Sequence, residues 1–290
     1  MAVLDNTITT DDVNYSLDVE LIQNFNQDVD VLEGILGIVS PEVVAAGTAL
    51  YQLTVDGSLD TTEHEEGDEV ALSKYTVTKG DAITVTPKPY RKLTSAETIL
   101  QSGYEAAVLK TDQKMLAHVR SDIMSDFYTY LANGKGEASG TSLQDTLANV
   151  DATLYNALET NADATSRIIH FVNRFDIADY LGQATITTQN VFGMSYIEGF
   201  LGLTDIVVSS KVPEKTVYAV PAENLHLYGI DFGSLSQAGL DYTVYDGSLI
   251  GVQHTGAYDR FSGETHVVSG AKLFAEVLDY IVVGTIADEA

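Results

Sequence analysis

Apolar positions along this chain change period several times, and each change marks an element. In "YSLDVELIQNFNQDVDVLEGILGIV", Leu21, Phe25, Val29 and Leu32 recur at spacings of four, four and three, the stripe of one helix. Few other apolar residues lie near that stripe in sequence, so 1–48 reads as an N-terminal arm whose stripe docks on something else. A two-residue period follows. Tyr51, Leu53 and Val55 alternate with Gln52 and Thr54, and Tyr75 and Val77 alternate with Lys74, Thr76 and Thr78. Ile83 and Val85 repeat the device until Pro87 and Pro89 end it. These are strands with one apolar face each, and a two-stranded hairpin alone is marginal in water. The hairpin, 49–92, is expected to stay mobile until a partner covers that face.

Helical spacing then returns over 93–142. Thr94 and Glu97 have the spacing of a capping box ahead of Ile99 and Leu100, and Gly103 is placed to interrupt the helix. Leu109, Leu116, Val119, Ile123, Phe127 and Tyr130 keep step until Asn133-Gly134 stops them. The stretch 111–132 predicts ~33 Å of helix at 1.5 Å per residue. Beyond the turn-rich "NGKGEASGT", Leu143, Leu147, Val150, Leu154 and Leu158 mark a second amphipathic helix. "RIIHFV" has the unbroken apolar run of a buried strand, and "RFDIADYLGQA" reads as helical. "TDIVVSS", "KTVYAVP" and "NLHLYGIDF" are short strands, so 143–242 predicts a compact α+β domain. The tail, 243–290, returns to strands that need a sheet to join, and no internal repeat is visible.

Composition narrows what these elements do. In 290 residues, 42 acids against 15 bases give a net charge of −27, which argues against a free-standing nucleic-acid-binding domain with its basic face. Acidity favours solubility and raises the cost of packing copies together. With no cysteine, disulfides and thiolate metal sites are excluded. No run approaches the roughly 18 apolar residues of a membrane span. The opening "MAVLDNTITTDDVNYS" lacks the regions of a signal peptide, so synthesis and folding in the cytoplasm is expected.

The charges are also unevenly placed. "SLDTTEHEEGDEV" sets Asp60, Glu63, Glu65, Glu66, Asp68 and Glu69 around His64 with no base among them. Carboxylates suit a hard cation such as calcium, but the ligand spacing of an EF-hand is missing. The alternatives are a solvated loop or a charged contact arm. Eight of the 15 bases lie between 74 and 120, among them Lys74, Lys88, Arg91, Lys92, Lys110, Lys114 and Arg120. An acidic hairpin tip above a locally basic stem points to a neighbouring copy as the source of cations. Such complementarity sets register more than affinity and weakens in salt.

Catalytic signatures are missing. Gly134-Lys135-Gly136 lacks phosphate-loop spacing and follows a helix. None of the six histidines lies in H-E-x-x-H, and no serine sits in G-x-S-x-G. His118 falls mid-helix and His170 inside an apolar strand, both read as structural. An enzyme would need a composite site gathering His170 or His226 with carboxylates.

The order of parts resembles the major capsid proteins of tailed bacteriophages, which have the Hong Kong-97-type shell fold. "AVLKTDQKMLAHVRSDIMSDFYTYLANG" is similar to that family's spine helix, and "IEGFLGLTDIVVSSKVPEKTVYAVPAENLHL" to its axial domain. "GAKLFAEVLDYIVVGTI" resembles the closing strand of the peripheral domain. The resemblance implies an α+β subunit with an N-terminal arm, an extended hairpin loop, a peripheral domain split between 93–142 and 243–290, and an axial domain at 143–242. It implies a non-enzymatic structural protein without a cofactor, assembled in a bacterial cytoplasm into the hexamers and pentamers of an icosahedral virion shell. Its partners would be copies of itself, a separate scaffolding protein, portal and decoration proteins, and packaged double-stranded DNA held without sequence-specific contact. Some relatives crosslink a hairpin lysine to a neighbour's asparagine; Lys74 and Lys79 lie on the hairpin, with no matching asparagine assigned. An encapsulin-like compartment has the same organisation, and a calcium-dependent acidic binding module is the alternative from another class.

Overall fold

A computed structural model describes residues 10–38, 41–63, 69–161, 163–165, 167–178, 189–191, 194–200, 204–244 and 249–287. The chain begins with helix α1 (Thr10–Leu36), which a left-handed Gly37 ends, and short strand β1 (Glu42–Val44) follows. β2 (Ala49–Ser58) and β3 (Lys74–Thr84) then form a two-stranded antiparallel sheet of their own. β3 is longer than its two apolar stretches suggested, because a register shift opposite Gln52 absorbs an extra residue and keeps the strand continuous. β4 (Lys88–Ser95) leads into helix α2 (Ala96–Ser102). The cap lies one residue later than the sequence spacing gave: Ser95, not Thr94, accepts from the Thr98 amide, because β4 runs on through Ser95 and the helix begins at Ala96.

Gly103, at φ 80°, ends α2 as expected. The chain resumes through a π-helical segment, Glu105–Leu109, into α3 (Lys110–Leu131), within one residue of its predicted limits. Wide helical turns leave irregular carbonyl partners. Here Thr111 Oγ1 donates to Ala107 O and Val108 O, both at 2.8 Å, and Lys92 Nζ also reaches Val108 O at 3.1 Å.

The remaining chain builds a layered body. β5 (Gly136–Gly140), α4 (Leu143–Thr160), β6 (Ile168–Val172), β7 (Gln189–Val191), β8 (Met194–Phe200), β9 (Thr204–Val208) and β10 (Thr216–Pro221) come first. They are followed by β11 (Leu225–Ile230), β12 (Ile250–Ala257), β13 (Ser262–Ser269), β14 (Lys272–Ala275) and β15 (Val282–Ile286). One sheet runs β5-β15-β10-β6-β9-β8-β7; two smaller ones run β1-β11-β14 and β12-β13-β4. The segment "RFDIADYLGQA" is turn over 174–177, and most of the rest lies outside the described residues.

β6 shows why its sequence has no polar position to spare. Ile169 and Phe171 face the core shared with α3, where Phe171 meets Phe127 edge-on at 5.4 Å. Ile168 and Val172 face the other way, into the layer under α4. A strand covered on both faces reads as a continuous apolar run. His170 joins it with its Nε2 standing 3.0 Å from Asp151 Oδ1 of α4. Gly284 of β15 lets α4 approach, since a β-carbon there would lie 2.5 Å from Val150 Cγ2. The five α4 leucine and valine positions named from sequence are all buried. No described helix is long and apolar enough to cross a membrane.

The large sheet crosses the boundaries the sequence suggested. β15, from the tail, sits between β5 and β10, while β11 leaves that region to pair with β1 and β14. The pairings of β15 with β5 and of β1 with β11 join residues more than a hundred apart, which local patterning does not register.

Candidate functional site: an uncovered hairpin and a cationic groove

The N-terminal stripe requires a correction. Leu21, Phe25, Val29 and Leu32 lie in the chain's own principal core with Ile22, Ile35 and Leu36, and Phe25 is 1% exposed. Their partners are α3 and strands from the second half of the chain. Arg120 of α3 adds an ion pair to Asp28 of α1. The stripe was expected to clasp a neighbour; apolar side chains far ahead in sequence cover it instead.

The hairpin differs. Among the described residues β2 and β3 pair only with each other, and the register sets Tyr51, Leu53, Val55 and Gly57 against Ala82, Lys79, Val77 and Tyr75. Tyr51, Tyr75 and Val77 are exposed, and nearer the tip Leu59, Val70 and Leu72 are too, Leu72 at 91%. Lys79 Nζ lies 5.0 Å from the Tyr51 ring centroid, so even the local cation–π contact leaves the outer surface open. A contiguous exposed apolar face on a soluble chain marks an interaction site.

The described flanks of the tip are held by their own polar groups. Asp60 Oδ1 accepts from the Thr62 amide at 2.9 Å and from the Thr62 hydroxyl, while the Asp60 amide donates to Ser73 Oγ at 2.9 Å. The Thr62 hydroxyl and amide hold the Asp60 carboxyl below its ordinary value. Asp60, Glu63 and Glu69 are exposed; Glu65, Glu66 and Asp68, with His64, lie outside the described residues. Among the described residues no group of three His, Asp or Glu gathers as metal ligands.

The basic candidates divide in two. Four are paired within the chain, which corrects the expectation that they stand ready for a neighbour. Lys88 Nζ reaches Asp122 at 2.9 Å and Asp126 at 2.7 Å. Burial opposes the Lys88 charge, but the two carboxylates outweigh it and raise the ammonium above its ordinary range. Arg91 binds both oxygens of Glu264, Lys92 meets Asp112 at 2.6 Å, and Arg120 meets Asp28. Each pairing links β4 or α3 to an element the sequence could not place beside it. Lys74, Lys110 and Lys114 are exposed and have no ion pair among the described residues.

Lys114 opens onto a groove of about 330 Å³ between β4 and α3, lined by Tyr90, Arg91, Lys92, Thr111, Lys114, Met115 and His118. His118 was read as a structural histidine; it is exposed on α3 instead. The groove gathers cationic side chains over an apolar floor of Tyr90 and Met115. Such a surface accepts an acidic segment carrying apolar side chains, the chemistry of the hairpin tip. A second, apolar recess of about 410 Å³ lies at the hairpin root, between Val43, Val44, Pro87, Ile230, Phe232 and Leu235. Sequence reasoning missed a further group, Asp18, His254 and Asp112, because nothing local connects residues so far apart.

No protein-family model matches the sequence, and no curated protein matches it. Solved structures do match its fold. A capsid chain from cyanophage A-1(L) aligns over 99% of this chain and 96% of its own length, with TM-score 0.57 and 11% identity. The capsid of an empty GTA particle aligns over 87% and 89%, with TM-score 0.52 and 9% identity. The capsid of cyanophage P-SCSP1u aligns over 86% of each chain, with TM-score 0.51 and 9% identity. The mixed α+β fold of this chain therefore resembles that of phage capsid proteins, as its sequence suggested.

Proposed function

We propose that this chain is a major capsid protein of a tailed phage, a shell subunit whose copies cover one another's hairpins. The observation that carries the reading is the face formed by Tyr51, Tyr75 and Val77: the chain covers its α1 stripe and both faces of β6, yet leaves this face open. Burial of apolar surface, at about 25 cal/mol per Å², supplies the adhesion. The likeness of fold to phage capsid chains supports the same reading. Hexamers and pentamers of the chain would then tile an icosahedral shell around double-stranded DNA. A net charge of −27 means that such DNA is contained rather than gripped, with counterions between polyanion and wall.

Within this reading the acidic tip, through Asp60, Glu63 and Glu69, docks on the Lys110 and Lys114 side of another copy's groove. Glu65, Glu66 and Asp68 add to the same charge. Lys74 begins β3, and in this reading it meets a neighbour's carboxylates. The segment 93–142 with α3 corresponds to the peripheral domain and its spine, and 143–242 to the axial domain. A separate scaffolding protein, portal and decoration proteins complete the assembly.

Negative-stain microscopy of the purified full-length chain tests this. Closed shells, rings or curved sheets are expected, and a variant in which a short turn replaces 59–73 is expected to fold yet fail to form them. A chain that remains a single subunit at every concentration overturns the reading.

A further inference from the structure

One cluster of charge is buried in the body at its centre and reaches the groove wall through Lys92. Asp18 of α1, His254 of β12 and Asp112 in the first turn of α3 stand in line, with Lys92 of β4 at the far end. His254 Nδ1 hydrogen-bonds Asp18 Oδ1, and Nε2 stands 3.0 Å from Asp112 Oδ2. Lys92 Nζ lies 2.6 Å from Asp112 Oδ1 and donates to Thr111 Oγ1 at 2.5 Å. Thr243 Oγ1 donates to Asp18 Oδ2 at 3.3 Å. The Asp112 and His254 side chains are 1% and 7% exposed. Two carboxylates and two cations sum to zero, the condition under which buried charges persist; removing one leaves another stranded.

The line joins elements with different dependence on it. The described apolar anchors of α1 run from Leu21 to Leu36, all on the C-terminal side of Asp18. Asp18, before Leu21, is a described tie of the earlier turns to the body. At the other end, Lys92 belongs to the strand that continues from the hairpin through 85–87. We propose that Asp18, His254, Asp112 and Lys92 form a proton-dependent clasp holding the first turns of α1 to the root of the hairpin. Discharge of His254 frees those turns while 21–36 stay seated.

The charges facing His254 set the direction. Burial opposes its protonation, but the hydrogen bonds to Asp112 and Asp18 outweigh burial and hold the imidazolium up to about 9. Burial likewise opposes the Asp112 charge, and His254 and Lys92 outweigh it, holding the carboxyl below its ordinary value. Tyr104 also faces the cluster; burial, then Asp112 and Asp18, raise its phenol and keep it neutral. β13 sets the uncharged Thr265 opposite His254. When His254 loses its proton, Lys92 still neutralises Asp112, but Asp18 has lost its cation. The His254 pKa is raised by folding, so the clasp is fully engaged below the ordinary histidine value of about 6.5 and is lost as pH rises through about 9.

Hydrogen exchange on the full-length chain from pH 7 to 10, expressed as protection over the intrinsic rate, tests the clasp. Protection of 10–20 is expected to fall at least tenfold between pH 8 and 10 while 25–36 hold theirs. Asp18→Asn keeps His254, Asp112 and Lys92 together, and is expected to leave 10–20 unprotected already at pH 7 with no step. His254→Gln is expected to do the same. Protection of 10–20 that stays flat to pH 10, or that falls together with 25–36, overturns the proposal, as does wild-type behaviour in Asp18→Asn. The wild-type series decides even where a variant fails to fold.

Discussion

Gly57 and Tyr75 show how single residues shape the hairpin face. The Tyr75 ring lies across Gly57 so closely that a β-carbon there would stand 2.3 Å from Cδ1. Gly57→Val displaces the ring from the open face, and is expected to leave the melting temperature of the body unchanged while assembly, followed by light scattering, slows. Phe25 gives the opposite expectation. Deleting a fully buried aromatic costs about 3–5 kcal/mol, so Phe25→Ala lowers the unfolding free energy of the unassembled chain in denaturant titration. An arm that docks only on a neighbour would show no such loss. The difference marks what the sequence made legible. Leu143 to Leu158 and Leu109 to Tyr130 were identified as helix faces because their spacing is local. The helix of Leu21, Phe25, Val29 and Leu32 was equally legible, but its covering was not, since α3 lies about a hundred residues ahead. Lys88, Arg91, Lys92 and Arg120 appeared available for the same reason: their partners include Glu264 and Asp28, far away in the chain.

At the scale of elements, the proposed contact sets the hairpin of one copy on the groove of another. Among the described residues no other strand pairs with β2 or β3, and α3 presents Lys114 beside β4. Charge reversal by Lys114→Glu is expected to raise the protein concentration needed for assembly several-fold at low salt. Unpaired surface charges interact over about 10 Å at 0.1 M salt and far less at 1 M. The gap between Lys114→Glu and wild type is therefore expected to narrow as salt rises, measured by sedimentation across a salt series. A gap independent of salt would assign Lys114 a packing role instead. The hairpin itself was readable because alternation and turn residues are local signals; its uncovered state shows only when the rest of the chain is seen to pack elsewhere.

On the scale of the whole molecule, 42 acids make every copy repel every other, so in the proposed shell adhesion comes from apolar contact and from the few places where cations concentrate. The large sheet draws β5, β10 and β15 from three distant stretches, which couples the body into one support for the projecting hairpin. Because the chain has no cysteine, a single measurement can ask where that hairpin goes. Copies carrying only Glu63→Cys are mixed with copies carrying only Lys114→Cys, assembled, and oxidised. Covering of one copy's hairpin by another predicts disulfide-linked pairs containing one chain of each kind in the assembled fraction, and none in the dilute unassembled fraction. Assembled particles without such pairs, or chains that never assemble under any condition, would contradict it.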